Sequence, residues 1–251
     1  MTPNLSLNDP AFVGVAGAVD PCLLNTDFSG DMGWTFGGSG IEISSNLLNF
    51  VVEGRAANNG SQAYYDLGSG VVDTDAWNLR FTIQSTGTAI NGNSAAAMID
   101  VGLFSGSNVA GSSGGGGGVY SPTQNFFTFR YVRVSGTSDA RAGGSDDCGS
   151  PYGCGETNDN VDIGEIVTVG SYSYVEIKKT AATSITCTLW SDDYEGTVVG
   201  TTTQNSGVDT SNVRYIKIEA YHESAAAGQT NTITGQLGEM KFYNASATNE
   251  C

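Results

Sequence analysis

Positive charge is scarce in this chain. Ten Lys and Arg stand against 26 Asp and Glu, a net charge of −16, and there is a single histidine, His222. An acid excess of this size is repelled by phosphate backbones and anionic bilayers, which argues against nucleic acid or a membrane surface as partner. Charged residues make up only 14% of the chain, and with 35 Gly this argues against coiled coils and helical bundles. Long hydrophobic runs are missing as well. Nothing approaches the roughly 20 apolar residues that span a bilayer, so membrane insertion is not expected. The nearest stretch, Phe12 to Val19, is short, broken by glycine and preceded by Asp9 rather than by basic residues, so it reads poorly as a signal peptide. Either a leader has been removed ahead of Met1, or the protein leaves its cell by another route, such as lysis of an infected cell. The acid excess with only four lysines suits a salty setting.

Aromatics are plentiful, with 11 Tyr and 10 Phe, and they argue against disorder because they supply burial. A chain of 251 residues is long enough for one large all-β domain. Residues 1–24, broken by Pro3, Pro10 and Pro21, read as an irregular extended arm, and 25–251 as the domain. From Trp77 to Gln84 apolar and polar residues alternate strictly, the pattern of a half-buried antiparallel strand. Similar short runs are Gly40–Ser44, Leu47–Glu53, Gln62–Leu67, Ala96–Phe104, Phe126–Val134 and Ile163–Val169. Others are Ser171–Lys179, Ser184–Ser191, Thr197–Thr203, Val213–Tyr221 and Thr232–Tyr243. No segment shows apolar residues at helical spacing. So many strands with almost no helix predict a two-sheet antiparallel jelly-roll sandwich. Trp34 and Trp77 belong to its core. Ser112–Gly118 reads as a mobile loop tip, Glu223–Gln229 as a hairpin loop, and Ser135–Asn160 as a long polar loop insertion.

The five cysteines divide unevenly. Cys187 shares a face with Ile185 and Leu189 and is expected to be a buried free thiol. Cys148 and Cys154 close a short loop, CGSPYGC, and a local disulfide suits them better than zinc, for which a second close pair is lacking. Cys22 and Cys251 remain, and because the first and last strands of a jelly roll are often neighbours, these two can pair. Such bridges would place the protein in an oxidising compartment.

Four segments carry a family resemblance. They are Asn25–Trp34, NTDFSGDMGW; Tyr64–Gly68, YYDLG, followed by Trp77–Phe81, WNLRF; Tyr174–Thr180, YVEIKKT; and Arg214–Lys217 with Gly238–Asn244, RYIK and GEMKFYN. In order and spacing they resemble the concanavalin A-like lectin/glucanase superfamily, in its laminin-G-like and carbohydrate-binding-module branch, over residues 25–244. The resemblance implies the jelly-roll fold but no particular ligand, since this fold hosts lectins, hydrolases, lyases and structural modules.

It also implies what each activity would need. A retaining glycosidase of this kind would carry E-x-D-x-x-E. The nearest stretch, Asn160 to Glu165, has Asn160 at the nucleophile position, and two-carboxylate hydrolysis needs both acids. A polysaccharide lyase would use Arg, Gln, His and Tyr on one sheet. Arg80 and Gln84 share a strand face, and Tyr221 precedes His222, but nothing in the sequence fixes their geometry. No serine or cysteine nucleophile has a supporting motif, and the glycine-rich run is not a phosphate loop. Ca²⁺ is the cofactor to expect, and no organic one. The resemblance places Asp27 on the first strand and Glu239 near the end of the last, with Gly238 where the family often has an acid. Asp146, Asp147, Glu156, Asp159 and Asp162 form a second cluster of hard oxygen ligands. Sugar binding calls for exposed aromatics flanked by polar groups. Trp190, which alternates away from the buried row of Cys187, Tyr152 in the cysteine-closed loop, and Tyr221 are the stacking candidates, with Arg80 as a polar partner. Asn4, Asn59 and Asn244 head glycosylation sequons.

These features point to a non-catalytic module that recognises or attaches to glycans, extracellular or on a virion or cell-surface appendage. Its expected partners are a glycan or polysaccharide, and copies of itself or other surface subunits. A purely structural subunit is the rival reading, its Phe12–Val19 segment adding as a strand to a neighbour's sheet edge. A polysaccharide lyase or glycoside hydrolase is the third.

Overall fold

Among the described residues fifteen segments form strands, most of them with alternating polarity. They are β1 (Cys22–Thr26), β2 (Trp34–Gly37), β3 (Ile41–Ser44), β4 (Leu47–Glu53), β5 (Ser61–Asp66), β6 (Trp77–Asn91), β7 (Ala97–Phe104) and β8 (Phe126–Val134). They continue with β9 (Thr137–Ser145), β10 (Val161–Glu165), β11 (Tyr172–Ala181), β12 (Ser184–Trp190), β13 (Val198–Gln204), β14 (Tyr215–His222) and β15 (Thr230–Asn244). The structure is a computed structural model, and it describes residues 22–30, 33–53, 61–91, 97–105, 126–134, 137–145, 161–165, 170–181, 184–204, 213–222 and 230–244. Among the described residues there is no helix, hence none long and apolar enough to cross a membrane.

The strands form two antiparallel sheets. The eight-stranded sheet runs β13-β12-β11-β6-β15-β4-β3, with β1 also on β15, and the seven-stranded sheet runs β10-β9-β8-β7-β14-β5-β2. The long strand β15 organises the first. One side pairs with β6 from Thr230 to Asn244, and the other pairs first with β4 and then with β1. The first and last strands are therefore neighbours. A register break between Leu237 and Met240 separates the two partners. Gly238 stands in that break, where a Cβ would come 2.8 Å from Thr82 Oγ1 and press on the Tyr172 ring. The adjacent Glu239 N–H donates to Thr82 Oγ1 at 3.1 Å, so the hydroxyl supports the irregular backbone.

Period-two alternation sends one row of each strand between the sheets. Leu79, Phe81, Ile83, Val175, Ile177, Ile216 and Ile218 are all fully buried, as expected, and Trp77 and Trp34 join them. Phe81 of β6 meets Phe129 of β8 edge-on across the interface, with centroids 5.7 Å apart. Each such side chain contributes on the order of 1.5–3 kcal/mol by leaving water. Tyr131 on β8 reaches the other sheet and its hydroxyl meets Ser85 Oγ at 3.1 Å, so the ring is buried without orphaning its oxygen.

The open edges of the sheets are closed by the chain itself. Between β2 and β3 the chain crosses from one sheet to the other, and Ser61 Oγ accepts from the N–H groups of Ser39 (3.2 Å) and Gly40 (2.8 Å) at the crossing. At the opposite edge β13 comes against β10 so closely that a Cβ on Gly200 would overlap the Ile163 carbonyl. Glycine is needed there for close approach rather than for its backbone angle.

Two expectations are corrected. Thr137–Ser145, read as part of the 135–160 loop, is strand β9, paired with β8 and β10. Its sequence, TSDARAGGS, has no apolar alternation, and its place comes from main-chain ladders on both sides. Cys22–Leu24, assigned to the arm, belongs to β1 and pairs within this chain's own sheet. Residues 1–21, with Phe12–Val19, lie outside the described residues, as do Ser112–Gly118 and Glu223–Gln229.

Candidate functional site

The outward rows of the two sheets are built differently. On the eight-stranded sheet, Arg80 of β6 stands directly opposite Glu176 of β11. Its Nε donates to Glu176 Oε1 at 2.7 Å, and Asn78 Nδ2 donates to the same oxygen at 2.6 Å. The turn after β12 then covers this pair. Asp192 shapes the turn: its carboxylate accepts from the Thr197 N–H (2.7 Å), Thr197 Oγ1 (3.0 Å) and the Asp193 N–H (3.2 Å), which lowers its pKa. Glu195 follows with a left-handed φ of 68°. The turn places Tyr194 over the sheet, with the Arg80 guanidinium 4.9 Å from its ring centroid and the Tyr174 ring edge-on at 5.1 Å. Burial raises the Tyr194 pKa, and its hydroxyl has no hydrogen-bond partner among the described residues.

Two sugar candidates are corrected here. Trp190 does face away from the row of Cys187, but only 7% of it is exposed, because a register break between Leu189 and Trp190 and the following turn bring the Tyr194 ring to 5.9 Å. Arg80 is held by Glu176 and Tyr194, with Glu195 at 4.0 Å, and its side chain is 12% exposed. Neither is offered to a ligand.

The outward row of the seven-stranded sheet carries buried charge. Ile216, Ile218 and Ala220 of β14 point into the core, so Tyr215, Lys217 and Glu219 point outward. Asp100 on β7 lies opposite Glu219, and Arg130 on β8 lies opposite Asp100. Arg130 grips Asp100 with two hydrogen bonds, Nε to Oδ1 at 2.8 Å and Nη2 to Oδ2 at 3.0 Å. Lys217 Nζ stands 2.9 Å from Glu219 Oε1 and 5.0 Å from the Phe104 ring centroid. At that distance the ammonium partly offsets the charge of the buried carboxylate. Burial raises the Glu219 pKa, and Lys217 opposes the shift only in part. Two cations and two carboxylates thus sit side by side on three neighbouring strands, all buried.

Along the same row the face opens. Tyr64 of β5 is opposite Lys217, and Asp66 is opposite Tyr215. Tyr64 and Tyr215 meet edge to face with centroids 5.7 Å apart. Arg214 precedes β14 and its main chain is held on both sides: its N–H donates to the Phe104 carbonyl at 3.0 Å, and its carbonyl accepts from the Leu67 N–H at 2.8 Å. Its guanidinium stands 5.1 Å from the Tyr215 ring centroid and forks onto Asp66, Nε to Oδ1 at 2.7 Å and Nη2 to Oδ2 at 2.5 Å. This bond lowers the Asp66 pKa, and both side chains are 40% exposed. The gradient from exposed ion pair through tyrosines to buried charges is the most chemically loaded surface among the described residues.

Tyr64, Asp66, Arg214, Tyr215 and Lys217 lie in segments that carry the family resemblance, but none of these groups was expected as a site residue, although a signal existed. The row Tyr215, Lys217, Glu219, Tyr221 alternates with apolar residues in a chain that has few charges. Tyr221 lies on this strand, paired with Met98, and Asp162 lies on β10 opposite Arg141; their side chains are not described. Tyr152, Asp146, Asp147, Glu156 and Asp159 lie outside the described residues. Asp27 accepts from the Ser29 N–H at 2.9 Å in a local turn that lowers its pKa, and Glu239 is 3.7 Å from Lys241 Nζ. Among the described residues no three His, Cys, Asp or Glu group closely enough to hold a metal ion. Cys187 is buried and free, as expected, and burial raises its thiol pKa. Cys22 is disulfide-bonded, while the pairings proposed for it with Cys251 and for Cys148 with Cys154 turn on residues outside the described set.

No protein-family model matches the sequence, and no curated protein sequence does. Solved structures match across nearly the whole chain. The carbohydrate recognition domain of Emp47p superposes with a TM-score of 0.58 at 12% identity, covering 91% of this chain and 96% of that one. A legume lectin-like domain from Entamoeba histolytica gives 0.56 at 11% identity, covering 92% and 100%. Peanut lectin gives 0.51 at 10% identity, covering 88% and 97%. The chain has the concanavalin A-like jelly-roll fold.

Proposed function

We propose that this chain is a non-catalytic module that recognises glycans through the outward face of its seven-stranded sheet, working outside the cell or on a virion or cell-surface appendage. The observation that carries the reading is the graded face itself, in which the exposed Asp66–Arg214 pair, Tyr64 and Tyr215 lie beside the buried Lys217, Glu219, Asp100 and Arg130. Sugars are bound by aromatic rings together with a few fixed donors and acceptors, and this face holds both kinds of group on rigid strands. Among proteins of this fold, the Emp47p domain is a carbohydrate recognition domain and the Entamoeba histolytica domain is legume lectin-like, which supports the same reading. The outward face of the eight-stranded sheet supports the reading less well, because its aromatics and Arg80 are spent on one another.

Catalysis is not part of the proposal. Asp100, the buried carboxylate opposite Glu219, has both oxygens engaged by Arg130, which blunts it as a nucleophile or base. A glycan array probed with the full chain, with and without Ca²⁺, tests the proposal. Binding to a defined group of glycans supports it, and an array blank in both conditions refutes it. Release of reducing ends, or of the ultraviolet-absorbing unsaturated uronates a lyase makes, would replace it with an enzyme.

A further inference from the structure

We infer that Tyr64, Asp66 and Arg214, backed by the buried Tyr215, form a subsite for a single uncharged pyranose ring, an inference that rests on the glycan reading above. Three observations converge on it.

The group is rigid. The Arg214 main chain is bonded to Phe104 on one side and Leu67 on the other. Asp66 Oδ1 also accepts from the Gly68 N–H at 2.9 Å, so the carboxylate is fixed at both ends of its reach. A ligand meeting this pair has little side-chain ordering left to impose.

The group is chemically incomplete in the way a sugar completes. A guanidinium has five N–H donors, and the fork onto Asp66 uses two of them; a carboxylate has about four acceptor positions, and the fork and the Gly68 N–H leave about one. At 40% exposure on both side chains the remainder faces water. Donors and acceptors therefore lie side by side in one plane, matching adjacent hydroxyls, each of which gives and takes a hydrogen bond. Half-buried Tyr64, at the side of Tyr215, supplies apolar surface for the C–H face of a ring.

The group is neutral. Asp66 cancels Arg214, and the neighbouring Lys217, Glu219, Asp100 and Arg130 cancel likewise when ionised. Among the described side chains of this face each cation is thus matched by a carboxylate, and on a chain of net charge −16 these groups offer no excess of cations to recruit a polyanion. A neutral hexose unit is selected over a uronate or a sulfated sugar.

Titration calorimetry of the full chain against neutral, uronate and sulfated oligosaccharides tests this, with Tyr64→Ala, Tyr64→Phe, Arg214→Lys and, as a control on the opposite sheet, Thr201→Ala. Thermal melting confirms that each variant is folded. Neutral oligosaccharides should bind and acidic ones should not. Tyr64→Ala and Arg214→Lys should each weaken binding about tenfold, the loss of one aromatic or forked contact, while Tyr64→Phe and Thr201→Ala bind as the parent does. Preference for acidic oligosaccharides, or neutral binding unmoved by Tyr64→Ala and Arg214→Lys, overturns the subsite and leaves the glycan reading standing. Absence of binding to every class overturns both.

Discussion

Replacing Arg130 with Met isolates what the buried charges on the seven-stranded sheet do for stability. Arg130 is 7% exposed and Asp100 is fully buried, joined by hydrogen bonds of 2.8 and 3.0 Å. Methionine keeps much of the apolar stem and removes the guanidinium. The Asp100 carboxylate is then left in a desolvated site, with Glu219 opposite it and Lys217 as the cation left among these four groups. Removing one partner of a buried pair costs roughly 3–5 kcal/mol, most of it the penalty on the charge left behind. That is a large share of the roughly 5–15 kcal/mol that holds a domain together. The double variant Arg130→Met, Asp100→Asn removes both charges, so it should be less destabilised than the sum of the two single variants by about 1–3 kcal/mol. Urea unfolding of the four proteins at one pH gives the cycle directly. A loss below about 1 kcal/mol for Arg130→Met, or strict additivity in the double variant, would show that this cluster is solvated in solution and that the account of the face is mistaken.

The other predictions concern titration, the sheet edge and the free thiol. Burial raises the pKa of Glu219 in the folded chain, so its native-state proton affinity exceeds that of the unfolded chain. The resulting stability is complete below the ordinary value of 4.5 and is lost as pH rises through the raised value. Glu219→Gln should flatten that decline in a plot of melting temperature against pH, and an unchanged slope would assign the effect to another group. Gly200→Ala forces β13 away from the Ile163 carbonyl and should cost roughly 1–3 kcal/mol in urea unfolding, whereas alanine at the exposed Thr201 next to it should cost under about 0.5. Cys187 should resist alkylation in the native protein and react fully on unfolding; its recovery in a bridge by mass mapping would contradict the buried thiol.

The core of this fold was written in alternation. Trp77 to Gln84 and Tyr174 to Lys179 read as strands because burial on one face leaves a period of two, and the same period placed Cys187 inside. Segments without that record were illegible. Thr137–Ser145 is small and polar, and it is a strand because β8 and β10 flank it, which no local pattern announces. The site was harder for the same reason. Arg80 looks available in sequence because nothing local shows that β11 will place Glu176 opposite it. Trp190 alternates outward as read, yet a turn folds Tyr194 over it. Lys217, Glu219, Asp100 and Arg130 are ordinary surface residues one at a time, and only the pairing of β14, β7 and β8 brings them into one row. Their common signature, charges on the polar side of apolar strands in a chain poor in charge, is visible once the pairing is known.

Backbone-amide chemical-shift mapping with a glycan drawn from the array tests the central claim most directly, because it reports where a ligand sits without presupposing the residues. The account predicts that the shifts cluster on β5 and the start of β14, at Tyr64, Asp66, Arg214 and Tyr215, and fade toward Thr188 and Thr201 on the opposite sheet. Shifts centred on Arg80, Trp190 and Tyr194, with the seven-stranded face unmoved, would contradict it.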